Sequence, residues 1–265
     1  MTEEKYFVET KEYKKFVEFC EACKKYKYIG ICYGAPGVGK TLSARYYSNW
    51  DYIEKNIAND SFEKAAEKID ENVLECQTIF YTAPAVKATQ MLEKIRMLGV
   101  QVKFAKNSYR NEEDVDINWD KEIDLIIVDE IDRLKIQNLE QLRDIYDQNN
   151  VGMIFIGMPG IEKRLARYPQ LYSRIGFAHE YNKLSKDETK HILEYKLHEL
   201  DVKINLEDFS DYEAISKIIR ITDGNFRLIQ RLFSQIERIL EINQLDTITA
   251  EVVEAARDSL VIGGK

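Results

Sequence analysis

Gly34-Ala35-Pro36-Gly37-Val38-Gly39-Lys40-Thr41 is the stretch that decides the fold. The apolar run Tyr28-Ile29-Gly30-Ile31-Cys32-Tyr33 precedes it, and Leu42-Ser43-Ala44-Arg45-Tyr46-Tyr47, which reads as a helix, follows it. Strand, glycine-rich turn and helix, in that order, turn the spacing G-x-x-x-x-G-K-[ST] into a phosphate cradle. Glycines let successive backbone N–H groups point inward. The helix N-terminus adds about half a positive charge. Lys40 is spaced to reach the β- and γ-phosphates, and the Thr41 hydroxyl to hold Mg²⁺. Gly34, Ala35, Pro36, Gly37, Val38, Gly39, Lys40, Thr41 and Leu42 are therefore the expected nucleotide contacts.

Working outward, the 265 residues suffice for one large domain or two smaller ones. The formal net charge of −8 argues against wholesale coating of a polyanion, so any nucleic-acid surface has to be local. No apolar run approaches the ~20 residues of a membrane span. Met1-Thr2-Glu3-Glu4-Lys5 lacks the character of a signal peptide, so a cytoplasmic location and no membrane partner are expected. Four cysteines are present, at 20, 23, 32 and 76. Cys20 and Cys23 form a C-x-x-C, but they share a helical apolar face with Phe16 and Phe19 and read as core packing.

Along the chain, residues 10–26 read as an amphipathic helix. Strands are expected at 28–33, 78–82, 123–128, 151–157 and 177–181, each a short apolar run of the kind buried in a parallel sheet. Helices are expected between them: one follows the loop to about Asn49, one runs from Pro84 to about Leu98 and closes at Gly99, and others cover 137–148 and 159–167. Residues 100–122 read as irregular. After Leu184-Ser185 the pattern becomes helical throughout, near 185–200, 211–221, 225–242 and 249–261. The expected division is a nucleotide-binding core over 1–183 and a helical domain over 184–265.

The second strong signal is Leu125-Ile126-Ile127-Val128-Asp129-Glu130. An apolar strand ending in Asp-Glu delivers two carboxylates to the C-terminal edge of the sheet, where ligands sit in open α/β folds. Asp129 is placed for the Mg²⁺ shell, and Glu130 to orient and partly deprotonate an attacking water.

Together these features resemble the AAA+ ATPases over roughly residues 28 to 260. Asp129-Glu130-Ile131-Asp132-Arg133-Leu134 is similar to the D-E-x-D-R-L of the ATPases that assist DNA transposition, the TniB, TnsC and MuB group. The resemblance implies an αβα sandwich with a parallel five-stranded sheet followed by an all-helical lid. It implies ATP·Mg²⁺ bound between subunits, a ring or helical filament on duplex DNA, and a transposase or other DNA-processing partner. It places Arg174, in Tyr172-Ser173-Arg174-Ile175, as the finger that reaches a neighbour's γ-phosphate, with Arg164 and Arg167 as competitors. Arg227, in Gly224-Asn225-Phe226-Arg227, matches the lid arginine that reads the nucleotide.

One position departs from the pattern. The strand Ile154-Phe155-Ile156-Gly157 leads to Met158-Pro159 where the resemblance calls for a polar residue, and a thioether donates no hydrogen bond. Either another group takes that task, or hydrolysis is slow.

Between Thr82 and Arg110 the charge balance reverses, with Lys87, Lys94, Arg96, Lys103, Lys106 and Arg110 against Glu93 alone. Such a strip engages phosphates without reading bases. Lys103, Lys106 and Arg110 are the expected DNA contacts, the two lysines because they fall beyond the predicted helix. Two other readings stay open: a helicase-loader-like ATPase, and a slowly hydrolysing, nucleotide-switched interaction module. An initiator with a winged-helix reader is disfavoured, since the lid helices and the tail Ile262-Gly263-Gly264-Lys265 leave no room for one.

Overall fold

The structure, a computed structural model, describes residues 7–85, 90–112, 118–199 and 209–260. It divides into two compact units. The first comprises Tyr13–Gly34 and Lys40–Tyr181; the second comprises Met1–Glu12, Ala35–Gly39 and Asn182–Lys265.

The first unit is built on β1 (Ile29–Tyr33), β2 (Thr78–Thr82), β3 (Leu125–Asp129), β4 (Gly152–Gly157) and β5 (Ile175–Glu180). They form one parallel sheet in the order β2-β3-β4-β1-β5. β3 and β4 are buried along their whole length, which is why they read as unbroken apolar runs. β5 lies at an edge, and its residues alternate between half-buried and exposed. The flanking helices are α1 (Lys11–Tyr26), α2 (Lys40–Tyr47), α3 (Trp50–Ile53), α4 (Phe62–Lys68), α5 (Met91–Arg110), α6 (Ile136–Gln148), α7 (Ile161–Leu165) and α8 (Pro169–Tyr172). α1 buries Phe16, Cys20 and Cys23, and Gly30 of β1 makes room for them: a Cβ there would lie 2.5 Å from both Cys23 Sγ and the Phe19 ring. Burial pushes the Cys23 thiol up to about 12, so this C-x-x-C is packing and not a reactive pair.

α5 corrects the sequence reading. It starts at Met91 rather than at Pro84, and it passes through Gly99 to end at Arg110, capped by Asn111 in the left-handed conformation. Gly99 is there for packing, not for termination. A Cβ at this position would stand 2.7 Å from the Trp119 ring, so the helix carries a glycine where the indole crosses it. The first half of the stretch read as irregular is therefore helical. Lys87 and the tail 261–265 lie outside the described residues.

The second unit packs α9 (Lys186–Glu199), α10 (Phe209–Thr222), α11 (Phe226–Asn243) and α12 (Ala250–Asp258) around Leu193, Ile218, Ile229, Leu232, Ile236 and Val253. Asn225 caps α11 by accepting from the Leu228 N–H, and Thr249 caps α12 by accepting from the Val252 N–H. Gly224, at φ 72°, lies against the Leu184 carbonyl.

Gly99→Val should cost about 1–3 kcal/mol by overpacking against Trp119. The check is a lower urea midpoint with an unchanged slope; an unshifted midpoint would contradict the contact.

Candidate nucleotide site

The site in the first unit is assembled at the C-terminal edge of the sheet. α2 begins at Lys40, immediately after the glycine-rich loop, and places Lys40 and Thr41 in its first turn. Lys40 is nearly buried and its Nζ donates to the Gly34 carbonyl at 2.6 Å. Thr41 Oγ1 donates to Asp129 Oδ2 at 2.6 Å, and the Glu130 N–H donates to Asp129 Oδ1 at 2.8 Å. Burial pushes the Asp129 carboxyl up, partly offset by the Thr41 and Glu130 hydrogen bonds. Thr41 and Asp129 thus present a hydroxyl and one carboxylate side by side. Such hard oxygen donors fit Mg²⁺, which keeps its other positions for phosphate and water. Among the described residues, no cluster of His, Cys, Asp and Glu could enclose a metal without a ligand's help.

The turn after β3 fixes three further side chains. Glu130 adopts φ 55°, a left-handed conformation that brings its exposed carboxylate back onto Arg133. Arg133 Nη1 also donates to the Ala83 carbonyl, just past β2, at 3.2 Å. Asp132 Oδ2 accepts the Met158 N–H at 2.8 Å, so the polar side chain at the exit of β4 comes from β3's turn and not from position 158. Gly157 is small for that reason: a Cβ there would lie 2.8 Å from the same oxygen. Arg164 ties down the turn from α7, donating to the carbonyls of Asp132 and Leu134.

In the second unit, the loop segment Ala35–Gly39 packs on the start of α11. Asn225 Nδ2 donates to the Pro36 carbonyl at 2.9 Å, and the Arg227 N–H donates to the Gly37 carbonyl at 3.0 Å. Gly37 has φ 81°, and a Cβ there would lie 2.5 Å from Asn225 Oδ1. The Arg227 side chain is exposed in the first turn of α11.

Arg174 stands apart from this group. It immediately precedes β5, and its carbonyl accepts the N–H of Ile29, the first residue of β1, so it marks the N-terminal edge of the sheet. The six residues of β5 span roughly 20 Å at ~3.3 Å each, which puts the phosphate-binding edge of the same chain out of an arginine's reach. Its guanidinium forks onto Asp147 at 2.6 and 2.7 Å.

The expected DNA contacts need correction. Lys103 and Lys106 lie within α5, on its buried face. Lys103 Nζ donates to the Asn118 carbonyl at 3.2 Å; Lys106 Nζ donates to the Glu122 carbonyl at 3.1 Å and pairs with its carboxylate at 3.2 Å. Arg110 forks onto the same carboxylate. These side chains anchor the segment that carries Trp119, while the cations that α5 exposes are Lys94, Arg96 and Arg110. Burial pushes the Glu122 carboxyl up, but Arg110 and Lys106 outweigh it and hold it below the usual carboxylate range.

Sequence reasoning missed Arg133, Asp132, Asn225 and Asp147. The first two stood inside a quoted motif, and Asn225 directly precedes a residue that had been singled out. Nothing in the local sequence marks Asp147.

A parallel five-stranded sheet with a phosphate-loop helix start, Asp-Glu at the end of the strand two places away and a helical C-terminal region define an AAA+ P-loop fold. The AAA domain family (AAA_22) matches residues 23–165, and the chain belongs to that family. A "Potential ATP-binding protein" of Staphylococcus aureus is 60% identical over 269 aligned residues, covering 99% of each chain. Among solved structures, a RuvB of Thermotoga maritima is similar at TM-score 0.58 and 19% identity, covering 97% of this chain and 71% of its own. The ORC2 protein of Aeropyrum pernix is similar at TM-score 0.62 and 16% identity, covering 99% and 72%.

Lys106→Glu should cost about 3–5 kcal/mol, because it buries like charges together, whereas Lys94→Glu on the exposed face should stay within about 0.5 kcal/mol. Urea denaturation separates the two. A carboxyl held low in the folded state adds stability above its ordinary value, and that stability is lost as pH falls through the folded value. Arg110→Ala should therefore flatten the acid side of the urea-midpoint profile.

Proposed function

We propose that the chain is a cytoplasmic ATPase that binds ATP·Mg²⁺, assembles on duplex DNA and regulates transposition by marking target DNA and recruiting a transposase. The observation that carries the ATPase part is the Thr41–Asp129 pair, with Lys40 and Glu130 at the same sheet edge. Lys40 leaves the Gly34 carbonyl for the β- and γ-phosphates, and loop N–H groups from Gly34 to Leu42 surround them. Bound Mg²⁺ supplies charge neutralisation across those phosphates. Glu130, once released by Arg133, orients the attacking water and takes its proton. Arg227 reads the bound nucleotide.

Arg174 supports assembly as part of the chemistry. It lies at the far edge from its own chain's site, so its service to a γ-phosphate is in trans, and a monomer is nearly inactive. A guanidinium so placed is worth about 10³–10⁵ in rate. Arg164 is spent on two carbonyls, which leaves it a weaker candidate. DNA contact falls to the exposed cations of α5: Lys94, Arg96 and Arg110. The transposition role rests on the D-E-x-D-R-L stretch, and the fold likeness to RuvB, a Holliday junction branch migration motor, fits a DNA-acting chain.

Met158 keeps a second reading in play: the exit of β4 carries an exposed thioether, as suits a slow, nucleotide-switched interaction module. ATP turnover with and without duplex DNA decides. Stimulation by DNA supports the transposition reading; neither turnover nor DNA affinity supports the module. Lys40→Ala should lose ATP binding, and Glu130→Gln should retain ATP while losing turnover. Wild-type turnover in Glu130→Gln would remove Glu130 from its role.

A further inference from the structure

We propose that Asp147 is a positioning residue for Arg174, gripping one edge of its guanidinium so that the remaining N–H groups face a neighbouring copy's γ-phosphate. The inference rests on the reading of Arg174 as the trans arginine. An arginine has five N–H donors in a rigid plane. Asp147, near the C-terminal end of α6, takes two of them in a side-on fork: Nε to Oδ1 at 2.6 Å and Nη2 to Oδ2 at 2.7 Å. The Gln170 carbonyl takes one from Nη1. One N–H therefore remains on each terminal nitrogen, the pair that suits two oxygens of a phosphoryl group.

The grip is itself braced. Arg143, mostly buried, places Nε 3.7 Å from Asp147 Oδ2 and donates Nη1 to the Gln170 side chain, so it ties together the two residues that hold Arg174. Glu140 and Asp144, the other carboxylates on this face of α6, pair with Arg143, Asp144 at 3.2 Å. Arg174 and Asp147 are each about one-third exposed, at 30% and 35%, so the fork is reachable from solvent. An ion pair that open contributes little to stability. Its effect lies in orientation: without Asp147 a flexible side chain must be ordered at each encounter, and misplacement by about an ångström costs on the order of 10²-fold in rate.

The test measures turnover, ATP affinity and urea midpoint for the full chain assembled with ATP and duplex DNA. Asp147→Ala should lose roughly 10–100-fold in kcat, with ATP affinity and urea midpoint unchanged. Asp147→Asn, which still accepts one of the two bonds, should recover part of the loss. Mixing Asp147→Ala with Glu130→Gln should restore turnover, because the second variant brings a well-held Arg174 to the first variant's intact site. Wild-type or raised turnover in Asp147→Ala, or no rescue on mixing, overturns the inference, provided Arg174→Ala is inactive and is rescued by the same mixing. If Arg174→Ala itself turns over at the wild-type rate, the reading beneath the inference fails instead.

Discussion

The hydrogen bond from Thr41 to Asp129 is the constraint on which the rest of the site depends. β1 and β3 are not neighbours in the sheet; β4 lies between them. The bond therefore fastens the first turn of α2, which follows β1, to the end of a strand two places away. Asp129 is almost wholly buried, and an ionised carboxylate there is tolerated only because a hydroxyl and a backbone N–H are aimed at it. Its requirement for donors fixes where the helix must start, and the start of the helix fixes the end of the loop.

From the same carboxylate the chain turns sharply, and that turn distributes the remaining chemistry. A glutamate at φ 55° costs on the order of 1–3 kcal/mol and persists only where its surroundings hold it. Arg133 holds Glu130 and reaches the end of β2, Asp132 reaches the end of β4, and Arg164 grips the turn's carbonyls from α7. Four consecutive residues thus connect three neighbouring strands at one edge of the sheet.

The architecture was legible where local chemistry is self-sufficient. The loop, Asp129-Glu130 and all five strands follow from glycine placement and apolar runs, because a strand buried on both faces must be apolar throughout. Glycine's two uses explain the main failure. Gly99 looked like a helix end because glycine often ends helices, yet its lack of a side chain serves Trp119, twenty residues further on. With the helix cut short, Lys103 and Lys106 looked like exposed loop charges, when each reaches across to a backbone carbonyl. The Asp147–Arg174 fork joins residues 27 apart in sequence, and no local pattern announces such a pair. The thioether at 158 donates no hydrogen bond, but the carboxylate that meets the Met158 N–H, that of Asp132, was visible only in three dimensions.

The strands of the sheet all point the same way, and this has a geometric consequence. Phosphate-binding groups gather where strands finish, and Arg174 sits where one begins. Two copies related by a two-fold axis would bring like edges together, which serves neither. If Arg174 serves a neighbour's site as proposed, copies would instead follow one another head to tail, in a closed ring or an open filament. An open stack of that kind, on the reading of Arg174 as the trans arginine, would have a direction: one end would show a site lacking its arginine, the other an arginine lacking its site. Growth, capping and partner choice at the two ends are then chemically different problems, and strand orientation alone is enough to make them so.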